Sequence, residues 1–243
     1  MYTKLLYKCN KFAGGVEVNM SDLAKDESLY SSQNLSTIVD QKKSYLIMKR
    51  LIDIFGSLIG LILLSLLMLI VSIIIKFEDP NGTVFFKQVR IGKNGKKFYM
   101  YKFRSMIADA EDKLEELLKL NEIQGAMFKM KKDPRVTKIG RFIRKTSIDE
   151  LPQLLNVLKG DMSLVGPRPP LPREVKEYTK YDKQRLLVVP GCTGLWQVSG
   201  RNDLDFSEMV ELDIQYIRNR SVLLDIKLIF KTVLVLFGSK NAF

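Results

Sequence analysis

The chain has no histidine anywhere in its 243 residues, and only two cysteines, Cys9 and Cys192. Without imidazole there can be no Ser-His-Asp triad, no histidine general base and no histidine-ligated zinc. Two thiols far apart in sequence are too few for a thiolate metal cage and suggest neither a disulfide framework nor a zinc site. A reducing, cytosol-facing location fits that usage best. Acidic residues are also in deficit: 27 Asp and Glu stand against 39 Lys and Arg, for a net charge of +12. Such an excess needs an acidic partner, and the candidates are nucleic acid, an anionic lipid surface or a phosphate-rich substrate. The length suffices for one domain with extensions and a core that needs no staples.

Charge is missing altogether from Ile54 to Ile75, a run of 22 uncharged and mostly apolar residues. As a helix it would reach roughly 33 Å, enough to span a bilayer. The bland reading, a buried core helix, would need apolar cover on every side, which a domain of this size supplies poorly. A cleaved signal peptide is not expected, because about 50 mostly polar residues precede the run. Lys42, Lys43, Lys49 and Arg50 lie before it, against Lys76, Lys87, Arg90, Lys93 and Lys96 after it, so the positive-inside rule gives no orientation. Either both flanks stay on the cytoplasmic face because the helix bends and returns, or the rule is weak here.

Residues 1–45 are polar and carry no motif, as befits a tail or a short accessory helix. After the apolar run, Val84–Val89 and Lys97–Phe103 read as strands joined by Gly92-Lys93-Asn94-Gly95, since Asn-Gly tolerates positive φ at both turn positions. Ala108–Leu120 reads as a solvated amphipathic helix. Leu151, Leu154, Leu155 and Leu158 share one helical face, and Gly160 supplies the stop. Pro167-Arg168-Pro169-Pro170 must be extended, because proline fixes φ and biases the residue before it away from the helical region. Leu223–Phe237 mixes Asp225, Lys227 and Lys231 with apolar residues, and reads equally as an interfacial helix or as a terminal helix packed on the core.

Asp149 and Glu150 stand at the entrance of the leucine helix. Their bland reading is a capping box, Ser147-Ile148-Asp149-Glu150, with Glu150 bonding back to the backbone of Ser147. Pro152 argues against it, because proline prefers the first helical position and that cap would place it a full turn inside. The surroundings favour chemistry: Arg135, Lys138, Arg141, Arg144 and Lys145 precede the pair, and Arg168 and Arg201 follow it in rigid or Gly-flanked loops. Guanidinium groups bind phosphate oxygens through paired hydrogen bonds. Magnesium on carboxylates beside arginines is a physical recipe for handling a diphosphate. A carboxylate is also a reasonable nucleophile toward phosphorus. No helix-turn-helix, zinc finger or Walker A pattern is present, which speaks against nucleic acid as the partner.

The runs Tyr101-Lys102-Phe103-Arg104-Ser105-Met106, Ser147 to Gln153, Asn156 to Pro169 and Pro190 to Asn202 together resemble the bacterial sugar transferases, the monotopic phosphoglycosyl transferases. The likeness covers about residues 49–237. It implies a mixed α/β, mainly α fold: a re-entrant membrane helix, interfacial amphipathic helices and a small β hairpin or sheet. The expected division is a polar extension over 1–48, the membrane helix over 49–76 and a cytosolic catalytic domain over 77–243. The implied reaction moves a sugar-1-phosphate, galactose or glucose by expectation, from a UDP-sugar to undecaprenyl phosphate. It passes through a covalent aspartyl-phosphosugar, releases UMP and opens exopolysaccharide or capsule assembly at the cytoplasmic face of the bacterial plasma membrane.

Carried over residue by residue, the resemblance makes Asp149 the nucleophile and has Glu150 help it hold Mg2+. It places Arg144 near the phosphate and makes Arg168, Arg201, Lys102 and Arg104 substrate-binding. A homo-oligomer is compatible with it. Lys49-Arg50-Leu51-Ile52-Asp53 matches the family's start of the membrane helix, but Ser65 is followed by Leu66 where the family has a proline that breaks the helix. The rival reading is a basic membrane-tethered scaffold or regulator of polysaccharide assembly without catalysis.

Overall fold

The computed structural model describes residues 43–80, 82–107, 133–199 and 204–238, together with residues 35, 109, 110, 113, 117 and 130. The predicted helix over 108–120 falls largely outside this set, as do Arg201 and most of the N-terminal extension. Among the described residues the architecture is mixed α/β and mostly helical, with two small two-stranded sheets.

The apolar run forms two helices, α1 (Lys43–Leu63) and α2 (Ser65–Glu78), bent by 59° at Leu64. No proline is present, so the bend has another cause. The Ser65 hydroxyl donates to the carbonyl of Ile62 (2.8 Å), one turn back, and Leu64 leaves helical geometry with ψ 2°. Serine bonds of this kind compete with the helix ladder and bend it. Among the described residues no single helix is long and apolar enough to cross a membrane, whereas the two halves of this bent pair together have the length and composition for it. Phe55, Ile62, Leu63, Leu66, Leu69 and Phe77 stand exposed along it.

One face of α1 is different. Tyr45, Asp53 and Ser57 are buried at steps of eight and four residues, which keeps them on one helical face. Arg50 donates to the carbonyls of Val157 (2.7 Å) and Leu158 (2.8 Å), satisfying the end of α4 (Gln153–Lys159). Asp53 accepts from the Ser163 hydroxyl and the Leu164 N–H, both at 2.9 Å, on β3 (Ser163–Val165). Lys49 pairs with Asp225 at 2.9 Å, and Tyr45 and Tyr216 donate to the same carboxylate. Gly56 and Gly60 let the helix approach, since a Cβ on them would lie 2.7 Å from Leu164 and 3.1 Å from Leu154. The Lys-Arg-x-x-Asp start of the apolar run is thus the device that docks α1 onto the rest of the chain.

β1 (Phe85–Ile91) and β2 (Lys97–Phe103) form the predicted antiparallel hairpin, with β1 displaced slightly from Val84–Val89. Asn94 and Gly95 take φ of 56° and 78°, as their types allow. α3 (Lys138–Lys145) follows, then a 3-10 turn over Ile148–Glu150 and α4. The leucine face of α4 is not its core face: Leu155 is exposed, while Asn156 and Val157 are fully buried. Asn156 accepts from the Tyr101 N–H (3.0 Å) and donates to the Tyr99 carbonyl (2.7 Å), so its amide serves as one more partner on the edge of β2.

β3 pairs in parallel with β4 (Gly191–Thr193). Gly166 and Gly191 make this crossing feasible, because each lies where a Cβ would meet the other's backbone. α5 (Pro172–Lys176), α6 (Phe206–Asn219) and α7 (Val222–Gly238) complete the α-helices, and 3-10 turns at Asp182–Leu187 and Trp196–Val198 lie between α5 and α6. The largest core cluster joins Val165, Val188, Val210, Ile214, Ile217 and Leu228, and Leu35 from the extension is buried in it. α7 packs on the core through Asp225 and Leu228, while Leu223, Phe230 and Leu234 lie exposed on the other side.

Candidate active site

A second cluster of Val71, Ile75, Phe103 and Ile143 ties α2, β2 and α3 together, and Ile148 and Leu151 pack against it. Those two residues flank the carboxylate pair, so the turn carrying Asp149 and Glu150 is clamped from both sides. Ser147 enters the turn in the left-handed region, φ 56°, which for a residue with a Cβ costs on the order of 1 kcal/mol. It makes no side-chain cap, and α4 begins only at Gln153 after Pro152. The capping box is therefore not formed at Ser147, and Glu150 is turned to another partner.

That partner is Lys102 on β2, whose ammonium lies 2.6 Å from Glu150 Oε1 and 3.8 Å from Asp149 Oδ2. Asp149 is only 6% exposed, whereas Glu150 is half-buried. Burial pushes the Asp149 carboxyl up to about 6, with Glu150 adding to the rise and Lys102 and Arg144 opposing it. Arg144 comes from the last turn of α3, whose first N–H groups, at Lys138 and Ile139, are capped by the Glu78 carboxylate at the end of α2.

Arg168 stands in the extended Pro167–Pro170 segment, held on two sides by the end of β1. Arg90 donates to the Pro169 carbonyl (2.9 Å), and the Ile91 N–H donates to the Pro170 carbonyl (2.9 Å). Arg90 is buried with neutral hydrogen-bond partners, Gln88 and Pro169. Burial first, and then the Arg168 charge, push it down to about 9, while Glu174 and Glu150 pull the other way. Arg90 thus feels both the proline segment, through Arg168, and the carboxylate turn, through Glu150. Arg168 itself sits 4.0 Å from Glu174, a buried carboxylate on α5.

The structure therefore brings Asp149, Glu150, Lys102 and Arg144 together, while Arg168 shares with Glu150 a common neighbour, Arg90. Arg104 lies elsewhere: it pairs with the Asp79 carboxylate (3.0 Å) past the end of α2, and its guanidinium occupies the space a side chain on Gly82 would need. Arg201 lies outside the described residues. Sequence reasoning missed Arg90, Glu174 and Asn156. Glu174 carried a readable signal, since Pro172 followed two residues later by Glu is a helix-start pattern. Arg90 carried none.

Among the described residues no group of three or more His, Cys, Asp or Glu gathers as a metal cage. Two adjacent carboxylates nevertheless match how magnesium is held, by one or two carboxylates with the remaining positions left to phosphate oxygens and water. The Lys102 ammonium shows that this point already favours a cation.

A buried carboxylate with a half-buried neighbour, lined by lysine and arginine and set between two helical struts, suits phosphoryl chemistry without histidine. The model of the bacterial sugar transferase family matches residues 44–239, and the chain belongs to that family. Among its relatives is the galactosyl transferase CpsE of Streptococcus agalactiae serotype III, 52% identical over 200 residues, which cover 82% of this chain and 44% of the relative. The undecaprenyl-phosphate galactose phosphotransferase of Salmonella typhimurium is 46% identical over 83% of this chain and 43% of its own length. The exopolysaccharide production protein ExoY of Rhizobium meliloti is 41% identical over 80% of this chain and 88% of its own. The chain thus spans less than half the length of the first two relatives and most of the third.

Proposed function

We propose that the protein transfers a hexose-1-phosphate, galactose or glucose, from a UDP-sugar to undecaprenyl phosphate, as an early membrane step of exopolysaccharide or capsule assembly. The observation that carries the reading is Asp149: a buried carboxylate on a clamped turn, beside an ammonium and a guanidinium, in a chain with no histidine. Near neutral pH, above its value of about 6, Asp149 is ionised and able to attack.

In the first step an Asp149 oxygen attacks the sugar-bearing phosphorus. The bond from that phosphorus to the bridging oxygen breaks, and UMP leaves with the electron pair. In the second step an oxygen of undecaprenyl phosphate attacks the same phosphorus, freeing the carboxylate and forming the lipid-linked diphosphate sugar. Lys102 and Arg144 stabilise charge on the transferring group, and Arg168 binds the anionic donor. Asp149 and Glu150 would hold Mg2+, which when bound supplies neutralisation of the diphosphate charge. Arg104 acts through the strand that carries Lys102.

The bilayer seat is part of the proposal. Both ends of the bent pair grip the same body, Arg50 and Asp53 at one end and Glu78 and Asp79 at the other. That supports a re-entrant helix pair with both flanks on the cytoplasmic face of the plasma membrane. The deciding experiment is UMP release by protein in nanodiscs given magnesium, undecaprenyl phosphate and single UDP-sugars. Release with one sugar, lost in Asp149→Asn, is expected. Silence across the panel from folded protein would overturn the reading in favour of a scaffold.

A further inference from the structure

Behind the proline segment lies an ionic cluster with unequal charge. Arg90, Arg168 and Arg173 gather about Glu174, Arg168 and Arg185 act on Asp213, and Glu150 reaches Arg90 from the carboxylate turn. The two carboxylates are used differently. Asp213, fully buried on α6, meets Arg185 at 2.6 Å while Arg185 also donates to Tyr178 (3.0 Å), so that guanidinium is consumed internally. Glu174 accepts from the Leu171 N–H through Oε2 (2.7 Å), which fixes its carboxylate, and offers Oε1 to Arg168 at a looser 4.0 Å.

A charge-assisted bond of 2.6–2.9 Å occupies donors, whereas a separation of 4.0 Å orients a guanidinium and leaves its N–H groups for another anion. Arg168 is the member of this pair that reaches solvent, with 32% of its side chain exposed against 2% for Glu174. The residues on either side of it are pinned independently, Pro167 by the Gly191 N–H and Pro169 and Pro170 by Arg90 and the Ile91 N–H.

We propose that Glu174 is a positioning residue for Arg168: its buried carboxylate aims the guanidinium at the anionic donor without neutralising it. The proposal rests on the donor-binding reading above. The surplus of arginine in the cluster is then balanced when a diphosphate arrives.

The test measures UDP-galactose and UDP-glucose affinity by calorimetry in the Asp149→Asn background, where the donor binds without turnover. Glu174→Gln keeps an acceptor for the Leu171 N–H and removes only the charge. It should weaken binding about fivefold with little change in melting temperature. Arg168→Ala should weaken it more, and Glu174→Gln added to Arg168→Ala should cost nothing further, because the aimed group is gone. Glu174→Asp, which keeps the charge, should recover part of the loss and serves should the glutamine variant fold poorly. Additive losses, or full affinity in Glu174→Gln, would overturn the positioning role alone. No binding of either donor by the folded Asp149→Asn parent would overturn the donor reading and the positioning role together.

Discussion

Replacing Asp149 by Asn should kill turnover and at the same time stabilise the fold. The carboxyl rises from an ordinary 3.8 to about 6, chiefly because burial penalises its charged form. Each unit is about 1.4 kcal/mol, so an ionised Asp149 costs the folded state about 3 kcal/mol near neutral pH. The attraction of Lys102 is already contained in that figure. The sign follows from linkage: the folded protein holds this proton more tightly than the unfolded chain, so stability is lost as pH rises from about 4 through about 6. An amide carries no such penalty. Asp149→Asn should therefore melt higher than the parent at pH 7.5, by about 6–12 °C for a chain of this size, and the gap should close at pH 4. Melting in detergent, followed by tryptophan fluorescence at both pH values, measures it. An equal melting point at pH 7.5, or a gap that ignores pH, would refute the placement of a charged Asp149 in a dry site.

Lys102→Met removes a charge that lowers the Asp149 value, so the acid limb of the kcat/KM profile should move to higher pH along with a loss of rate; an unmoved limb would mean another group controls it. Arg185→Met leaves Asp213 buried without its cation and should cost about 3–5 kcal/mol by denaturant titration, most of it recovered when Asp213→Leu is added. Asn156→Ala strips the N–H of Tyr101 and the carbonyl of Tyr99 of their partner, an expected loss of about 2–4 kcal/mol in the same titration.

Local chemistry was readable in advance. Asn94-Gly95 announced the hairpin, Pro152 announced that α4 begins after the carboxylates, and the uncharged run announced the apolar helices. What escaped depends on partners distant in the chain. Arg50 meets residues 157 and 158, Asp53 meets 163 and 164, and Lys49 meets 225, so a motif beside an apolar run looked like its boundary when it is a docking face. Asn156 hid for a related reason: leucines around it suggested which side faces inward, and the buried side turned out to be the one with the amide. A bend was expected, but its place at Leu64 was not legible, because it goes with one serine hydroxyl rather than with proline.

The sharing of one hydrophobic cluster by α2 and the carboxylate turn limits what can be removed from this molecule. Val71 and Ile75 cover Phe103 and Ile143, and Glu78 completes the first turn of α3. A shortened version lacking the apolar helices would expose that cluster to water and uncap the strut leading to Asp149. Trimming therefore offers no route to a freely soluble catalyst, and any such version needs replacement side chains that rebuild the lost wall.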